Sequence, residues 1–299
     1  MTLETNEMFK KILSKQVGMK KISQQELKAI QRTILEILED ISSVCEEQRL
    51  FYMLGGGTAL GAFRHQGFIP WDDDADLNMF QEDVKLLAME LEKKFPGKYY
   101  MEVPGMTKGY YSTFVQIHKK GTLFLENQMQ KEEQAGIKVD IFPIENTFDN
   151  GILRKIHGLG CQMILLLLSC YRIRVRKKEL LKLSAESPQV RRVFRIKAFL
   201  GFPLMICPEL WYRLFQKWFG ICKNRKSKYV VIPSGRKHFF GELYEREAFC
   251  QTQKMDFENL QLPITLDMHN YMCNLYGENY MVPPEEKDRE THFIYKLKV

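Results

Sequence analysis

The stretch that most constrains the fold of this chain runs from Leu54 to Met79 and reads LGGGTALGAFRHQGFIPWDDDADLNM. An apolar run at residues 50–54 predicts a short strand before it, and residues 58–64 predict a helix. Between them Gly55–Gly57 form a turn whose backbone can adopt positive φ angles and approach a ligand closely. The unpaired N–H groups of a helix start attract anions such as phosphate. The pattern therefore predicts a phosphate-binding turn, with an ordinary tight turn as the alternative.

Several aspartates end this stretch, within the segment WDDDADLNM. In an extended segment side chains alternate between faces, so Asp74, Asp76 and Asn78 would share an acidic face opposite an apolar one. Two carboxylates that project together repel each other unless a cation bridges them, and Mg²⁺ or Mn²⁺ binds through oxygen ligands. We therefore expect a divalent metal site at Asp74 and Asp76, with a solvated acidic loop as the alternative.

The run GGTALGAFRHQGFIPWDDDADLNM resembles the signature of the LicD family, whose relatives include bacterial phosphocholine transferases and the fukutin-related proteins. The resemblance implies a nucleotidyltransferase fold, in which a glycine turn holds the donor phosphates and a DxD on a strand binds Mg²⁺. It also implies a third carboxylate from a later strand. The family's glycine, Arg-His and DxD positions fall on Gly56, Gly57, Arg64, His65, Asp74 and Asp76.

Asp140 lies in the apolar segment IKVDIFP at residues 137–143. Aspartate is disfavoured in strands and costly to bury without a partner, so its position needs a reason. Backbone hydrogen bonds at a strand end would satisfy it. The VDIFP run also resembles the third-carboxylate motif of the LicD family, which implies that Asp140 joins Asp74 and Asp76 as a metal ligand.

Helix and strand patterns on both sides of the stretch predict an α+β fold. Residues 23–50 place apolar side chains at steps of three and four, and Ser23 with Glu26 has the spacing of a capping box. This amphipathic helix should cover the catalytic sheet. Residues 81–95 predict a second helix, and strands are predicted at residues 99–103, 112–118 and 122–126. With the family resemblance, this order implies a nucleotidyltransferase-like mixed sheet flanked by helices.

Two adjacent tyrosines, Tyr110 and Tyr111, lie on a predicted loop between two of these strands. Paired loop tyrosines can stack on a base or surround a cationic head group. Phe68 and Trp71 are further aromatic candidates for such a box. Surface loops also carry aromatic residues without any ligand, so both interpretations stay open.

The basic charge of the chain is concentrated in residues 151–230. This segment holds 18 lysines and arginines against 3 acidic residues, a net +15, so the rest of the chain carries a net −8. An anionic partner is predicted, either membrane headgroups or a phosphorylated acceptor, and no motif accompanies the charge that would indicate nucleic acid. A solvated basic face is the alternative.

In the same segment residues 153–183 predict a helix, and a second apolar-aromatic stretch follows at residues 199–219. The apolar run Met163–Leu168 is too short to span a bilayer, and prolines and charges interrupt the second stretch. Apolar faces with Trp211 and Trp218 beside basic clusters suit helices that lie in a membrane interface. A packed helical subdomain explains the same pattern equally well.

The seven cysteines are spread without a CxxC pair, which argues against a disulfide framework or a zinc knuckle. Residues 1–19 lack the apolar core of a signal peptide. We therefore expect a cytoplasmic protein, peripheral at the inner face of the cell membrane if the basic segment binds lipid.

Toward the C-terminus, strands are predicted at residues 229–232, 239–249 and 255–264, followed by a helix at residues 266–275. The run LYGENYMVPP at residues 275–284 resembles the close of LicD-family domains. Four parts are thus predicted: an N-terminal helix packing on the core (1–50), a catalytic core (51–150), a basic helical insertion (151–230) and a segment that completes the catalytic domain (231–299).

The LicD resemblance implies metal-dependent transfer of a phosphorylated group, phosphocholine first, from a CDP-linked donor such as CDP-choline. The acceptor would be a hydroxyl of a cell-surface glycan or a lipid-linked glycan precursor, and CMP would leave. Nucleotidylyl transfer with release of pyrophosphate is one alternative. A catalytically silent glycan- or membrane-binding protein is another.

Each candidate residue has a role in this scheme. Asp74, Asp76 and Asp140 would hold Mg²⁺ or Mn²⁺. The turn at Gly56, Gly57 and Thr58 would cradle phosphate oxygens, and Arg64 would stabilise the charge on the departing CMP. His65 would either contact substrate or act as a structural hydrogen-bonding group.

Overall fold

The structure is a computed structural model that describes residues 18–125, 135–185, 187–289 and 293–299. Most of the predicted lead-in before residue 23 and the last residue of the predicted strand 122–126 lie outside the described residues. The helices are α1 (Gln24–Gln48), α2 (Gly56–His65), α3 (Val84–Lys94), α4 (Gly151–Val175), α5 (Lys177–Leu183), α6 (Pro188–Leu200), α7 (Pro208–Phe219), α8 (His238–Gly241), α9 (Arg246–Phe249) and α10 (Met268–Tyr276). The strands are β1 (Lys20–Lys21), β2 (Tyr52–Leu54), β3 (Asp76–Phe80), β4 (Tyr99–Glu102), β5 (Val115–Lys119), β6 (Leu123–Leu125), β7 (Lys138–Asn146), β8 (Tyr229–Val231), β9 (Leu243–Glu245), β10 (Thr252–Phe257), β11 (Leu260–Thr265), β12 (Phe293–Ile294) and β13 (Lys296–Lys298).

A mixed sheet of seven strands forms the centre of the described fold. Five strands run in the order β2-β3-β7-β5-β4, and β8 pairs with the far end of β7 and with β9. The pair β3 and β7 is parallel, whereas the other neighbouring pairs in this sheet are antiparallel. The predicted mixed sheet flanked by helices is confirmed.

Helix α1 begins at the predicted capping box. Ser23 Oγ accepts a hydrogen bond from the Glu26 N–H at 3.2 Å, and the Glu26 carboxylate accepts one from the Ser23 N–H at 3.0 Å. Two N–H groups that the helix leaves unpaired are thereby satisfied. Its apolar stripe, including Ile30, Ile34 and Ile37, is at most 1% exposed and belongs to the main hydrophobic core. The amphipathic helix therefore covers the sheet, as the periodicity predicts.

The basic segment folds as helices α4 to α7. Helices α4 and α7 pack around a second hydrophobic cluster, whose buried members include Leu168 and Phe215. The end of α4 packs with α5 and α6 around a third cluster, which includes Leu180 and Phe194. Helix α4 is long and apolar enough to cross a membrane, judged by length and composition alone. The short run Met163–Leu168, taken alone, does not predict an apolar helix of this length. A core helix can have the same composition, and α4 is buried along one side against its neighbours.

Two predictions for the C-terminal part are wrong. Residues 239–249 form the helix α8, the strand β9 and the helix α9 in place of one strand. The apolar ends of this segment, Phe239 and Phe249, are at most 1% exposed and belong to two different hydrophobic clusters. A single straight strand would place both phenylalanines on the same face, where they could not reach two separate clusters. Residues 255–264 lie in a hairpin of β10 and β11, which turns at Glu258, where φ is 55°.

Candidate active site

The glycine turn joins β2 to α2 against the start of β3. The Gly55 N–H donates to the Asp76 carbonyl at 2.9 Å, which fixes the turn to this strand. Gly56 has a φ of +46°, and a Cβ added there would lie 3.1 Å from Asp76 Oδ2. A side chain at this position would be strained by the backbone and would press on the carboxylate. The turn is therefore shaped for close approach to Asp76.

Strand β3 separates an apolar face from a polar one, as its alternation predicts. Leu77 and Met79 are fully buried in the core. On the other face Asp76 and Asn78 project toward the glycine turn, because each lies against a glycine of that turn. The Asp76 N–H donates to Thr58 Oγ1 at 2.8 Å, so the first turn of α2 also holds β3 in place.

Asp140 on β7 lies directly opposite Asp76 in the register of the parallel pair, and Gln116 on β5 lies opposite it on the other side. Gln116 Nε2 donates to Asp140 Oδ1 at 2.8 Å, and Lys138 Nζ lies 3.5 Å from Oδ2. The Asp140 N–H donates to the Ala75 carbonyl at 2.9 Å. Asp140 is 9% exposed, so these partners orient a carboxylate that is almost fully withdrawn from water.

The neighbouring carboxylates act on Asp76. Burial raises the pKa of Asp76 well above its ordinary value, and the neighbouring Asp74, Asp140 and Asp72 raise it further, against a smaller effect of Lys138. By exposed area Asp76 is half-buried and Asp74 is exposed, so the site opens to solvent on the Asp74 side. Asp74 and Asp140 thus act electrostatically on Asp76, one from before it on the chain and one from the adjacent strand.

A second acidic feature directly precedes Asp76. One carboxylate oxygen from each of Asp72, Asp73 and Asp74 lies within 4.8 Å of the others. Gln31 Nε2 of α1 donates to the Asp72 carbonyl at 2.9 Å and anchors this loop. Asp72 also lies against the turn, since a Cβ at Gly57 would be 3.2 Å from its Oδ2. The prediction did not place Asp72 in the site, although the run of aspartates contained the signal.

Two tyrosines of α10 lie beside the glycine turn. The Tyr271 hydroxyl accepts hydrogen bonds from the Gly56 N–H at 3.0 Å and from Asn78 Nδ2 at 3.2 Å. Burial raises the pKa of Tyr276, and Asp76, Asp72 and Asp74 raise it too, against Arg236, whose guanidinium lies 5.2 Å from the ring centroid. Sequence reasoning missed both tyrosines. The run LYGENYMVPP, which contains Tyr276, was the available signal.

Two of the three residues of the predicted phosphate-binding turn, Gly56 and Thr58, form hydrogen bonds within the protein. The Gly56 N–H is paired with Tyr271, and the Thr58 hydroxyl accepts from Asp76. Gly56 and Thr58 therefore position Asp76. The Ala59 N–H donates to the Gly55 carbonyl at 3.0 Å, so the N–H groups of Gly57 and Thr58 are the ones at the helix start where an anion is favoured.

Arg64 and His65 lie in the last turn of α2, about 12 Å along the helix axis from Gly56. Arg64 Nε donates to His65 Nε2 at 2.9 Å, and Arg64 Nη1 donates to the Tyr280 carbonyl at 2.7 Å. Burial and the neighbouring guanidinium lower the pKa of His65, which favours the neutral imidazole. His65 thus has a structural partner, while the guanidinium, with five N–H donors, retains further capacity to donate.

The predicted aromatic candidates are separated by the fold. Tyr110 is 9% exposed, and its hydroxyl donates to the Phe114 carbonyl at 2.8 Å. Tyr111 packs on Tyr171 and Tyr212, with ring centroids 5.1 and 5.0 Å away. Both therefore serve in packing, and their contact with a ligand stays a prediction.

Of the other two aromatic candidates, one is buried in the core and one is half-buried near the aspartates. Phe68 is buried against Phe257, with ring centroids 4.8 Å apart. Trp71 is half-buried beside the aspartate run, and the Arg289 guanidinium carbon lies 4.4 Å from its ring centroid. Of the four candidates, Trp71 is the one that already contacts a cation.

A glycine turn at a helix start, a half-buried aspartate beside it and a second aspartate on the adjacent strand agree with the nucleotidyltransferase fold that the family resemblance implies. Residues 49–157 match the family model described as LicD/FKTN/FKRP, nucleotidyltransferase domain. Residues 49–157 are thus similar to the LicD-family nucleotidyltransferase domain, and the predicted resemblance of the signature is confirmed.

Two groups of relatives place this family match in context. The chain is 26% identical over 293 residues to the lipopolysaccharide cholinephosphotransferase LicD of Haemophilus influenzae, an alignment that covers 92% of this chain and 98% of the relative. It is 43% identical over 53 residues to the ribitol 5-phosphate transferase FKRP of mouse and of human, which covers 18% of this chain and 11% of each relative. The first likeness extends over almost the whole chain, whereas the second is confined to a short segment.

Proposed function

We propose that this protein transfers phosphocholine from a CDP-linked donor to a hydroxyl group of a cell-surface glycan or a lipid-linked glycan precursor, with release of CMP. The observation that carries the proposal is the group of carboxylates at the glycine turn: Asp76 lies against Gly56 and opposite Asp140 in the sheet, and Asp74 and Asp72 raise its pKa. The relative aligned over most of the chain is named a cholinephosphotransferase, which supports phosphocholine as the group. The ribitol 5-phosphate transferases support the broader class of phosphotransfer.

The residues present fit a divalent cation. Asp76 is raised in pKa by burial and by three carboxylate neighbours, so the site has excess negative charge that a hard cation would balance. Asp74, Asp76 and Asp140 would hold Mg²⁺ or Mn²⁺, and Asp72 is a further oxygen donor at the same place. Such a cation would neutralise charge on the donor diphosphate and make the acceptor hydroxyl more acidic.

Asp140 would also receive the acceptor proton. Its Oδ1 is held by Gln116 and its Oδ2 faces Lys138, so the carboxylate has a fixed orientation. The acceptor oxygen forms a bond to the phosphorus that carries choline, its proton passes to Asp140, and the bond from that phosphorus to the CMP oxygen breaks. CMP leaves with the electron pair of that bond.

The N-terminal end of helix α2 would bind the donor diphosphate, because the N–H groups of Gly57 and Thr58 favour phosphate oxygens. Arg64 at its last turn donates to Tyr280 and to His65 and retains further N–H groups for the charge that develops on CMP. Neutral His65 supports the guanidinium, and no proton transfer is assigned to it.

Trp71 is the aromatic side chain that best fits the choline group. A quaternary ammonium binds to the face of an indole ring through the same attraction that draws a guanidinium. Arg289 occupies such a position on Trp71. Because Trp71 immediately precedes Asp72, a cation on its face would lie close to the aspartate cluster.

A single assay tests this proposal and its alternatives. The purified protein is incubated with Mg²⁺ or Mn²⁺, an oligosaccharide acceptor and a panel of CDP-choline, CDP-ribitol, CDP-glycerol and nucleoside triphosphates, and the products are identified by mass spectrometry. CMP and a phosphocholine-modified glycan are expected. Pyrophosphate in place of CMP would establish nucleotidylyl transfer, and CMP from a polyol donor alone would reject choline. Binding of glycan without turnover of any donor would establish the third alternative, a catalytically silent glycan-binding protein.

A further inference from the structure

The connection between α6 and α7 is an apolar loop that the fold displays to solvent. Residues 199–206 read FLGFPLMI and contain no polar side chain. Phe199 is 78% exposed, Phe202 55% and Ile206 67%, and Leu200 and Met205 are also exposed. We refer to residues 199–206 as the apolar loop.

The apolar loop is held in this exposed form by its own contacts. Leu204 is buried in the second hydrophobic cluster and anchors the middle of the loop. A 3-10 turn at Pro203–Met205 is closed by hydrogen bonds from the Met205 N–H to the Phe202 carbonyl at 3.1 Å and from the Ile206 N–H to the Pro203 carbonyl at 3.2 Å. Trp211 Nε1 donates to the Ile206 carbonyl at 3.1 Å.

Such a loop is costly in water. Helix connections in soluble proteins run over the surface and are rich in polar residues, and consecutive exposed apolar side chains are avoided unless they bind something. A contiguous exposed apolar patch with a polar rim marks a protein or membrane contact. The apolar loop therefore requires a partner that takes up the side chains of Phe199, Phe202 and Ile206.

The rim of the apolar loop is cationic, which indicates the kind of partner. The Arg174 guanidinium carbon lies 5.1 Å from the Phe202 ring centroid. Arg195 and Arg213 are exposed on the helices that enter and leave the loop, and Lys197 is half-buried on α6. The whole segment 151–230 has 18 basic residues against 3 acidic ones. A second copy of the chain would bring two such rims together, which like-charge repulsion disfavours.

We infer that the apolar loop inserts into the interface of a membrane that contains anionic lipids, with the basic rim on the headgroups. Buried apolar area and attraction between basic residues and an anionic surface act together in this mode of binding. Trp211 lies beside the loop, in the position where amphipathic indole rings favour the membrane interface. The apolar loop, and not α4, is the segment that enters the lipid.

The experiment is flotation of the full chain with vesicles, without donor or acceptor. Phosphatidylglycerol–phosphatidylcholine vesicles are compared with phosphatidylcholine vesicles at increasing salt. The variant that combines Phe199→Ser, Phe202→Ser and Ile206→Ser should lose binding at least about tenfold, because three inserted side chains are removed. A control with Met89→Ser and Met106→Ser, which are 58% and 65% exposed elsewhere, should bind like the native chain.

Two further variants complete the design. Arg195→Gln combined with Arg213→Gln should weaken binding to anionic vesicles and reduce its salt dependence, because charge is screened by salt. Asp76→Asn should bind like the native chain even though it is expected to be inactive, so failure of the membrane inference and failure of the proposed function give different results. Thermal unfolding checks that each variant is folded.

Three outcomes would overturn the inference. Equal flotation of the native chain and the apolar loop variant would show that the loop does not enter lipid. Binding that resists high salt and alkaline extraction would point to α4 as a spanning helix. A concentration-dependent dimer in sedimentation that the loop variant abolishes would show that a second copy covers the loop.

Discussion

Asp76 and Asp140 occupy directly opposed positions on the parallel strands β3 and β7, about 4.8 Å apart across the sheet. Each is anchored through its backbone: Asp76 donates to Thr58, and Asp140 donates to the carbonyl of Ala75. The two carboxylates are therefore held together by the hydrogen bonds of the sheet, whatever their mutual repulsion. A cation that balances this repulsion would bind to a preformed site.

Replacing either aspartate by asparagine should lower turnover by at least about 10²-fold, since preorganised charge at the reacting group is lost. The fold should persist, because Asp→Asn retains the shape and removes like-charge repulsion. Steady-state kinetics and metal-free thermal unfolding of Asp76→Asn and Asp140→Asn measure the two effects. Asp256→Asn on the exposed face of β10 is the matched control. Unchanged activity would reject the metal-site assignment, and unfolding of the metal-free variants would make the carboxylates structural.

Removal of divalent cations should destabilise the native protein and abolish activity. A ligand that binds the folded state alone adds about 2.7 kcal/mol to the free energy of unfolding at 100 times its Kd. Chelation followed by titration with Mg²⁺ or Mn²⁺ should therefore raise the Tm of the native chain. Asp76→Asn should show little of this rise. An equal rise in both proteins would place the bound cation elsewhere.

Tyr271→Phe tests the support of the glycine turn. The substitution removes the acceptor for the Gly56 N–H and for Asn78 Nδ2, in a position that is 2% exposed. Leaving buried donors unpaired costs about 1–3 kcal/mol, so the free energy of unfolding in urea should fall by that amount. Turnover should fall as well, because the turn holds Asp76. Tyr295→Phe, at a residue that is 39% exposed, should change neither quantity.

Glu145 predicts a pH dependence of stability outside the active site. It is 6% exposed and lines a cleft of about 620 Å³ with Gln81, Gln216 and Lys223. Burial raises the pKa of Glu145 from 4.5 to about 8, with Lys223 opposing and Glu82 adding to the shift. The folded state then binds the proton more tightly than the unfolded state. Stability is therefore lost as the pH rises from about 4.5 to about 8.

The comparison of Glu145→Gln with the native chain isolates this effect. The variant keeps the shape and cannot ionise, so its Tm should exceed that of the native chain at pH 8.5 and approach it at pH 5. Glu247→Gln, an exposed position on α9, should leave the pH profile unchanged. If the native and Glu145→Gln profiles run parallel, Glu145 does not carry the dependence.

Trp71→Leu tests recognition of the choline group. Loss of a cation–π contact is worth about 1 kcal/mol, so KM for CDP-choline should rise roughly fivefold. KM for CDP-ribitol, which has no cation on its head group, should change less in the same variant. Equal changes for both donors would assign Trp71 to the shape of the aspartate loop.

The sequence by itself determined the local features of this protein. The capping box at Ser23 and Glu26 sets the start of α1, and the glycines after β2 set a turn that other residues would strain. The alternation of Asp76 and Asn78 with buried Leu77 and Met79 assigns the faces of β3. These features depend on backbone conformation and on periodicity, which neighbouring residues specify.

The LicD resemblance already named Asp140, whereas only the tertiary structure decided how it is placed and which other distant residues complete the site. The register of β3 and β7 brings Asp140 beside Asp76, and the packing of α10 brings Tyr271 and Tyr276 to the glycine turn. Apolar periodicity also failed for residues 239–249, where two buried phenylalanines belong to separate clusters. Periodicity indicates that a side chain is buried, but it does not identify the residues that the side chain packs against. Those partners depend on strand order and on helix packing between segments far apart in the chain.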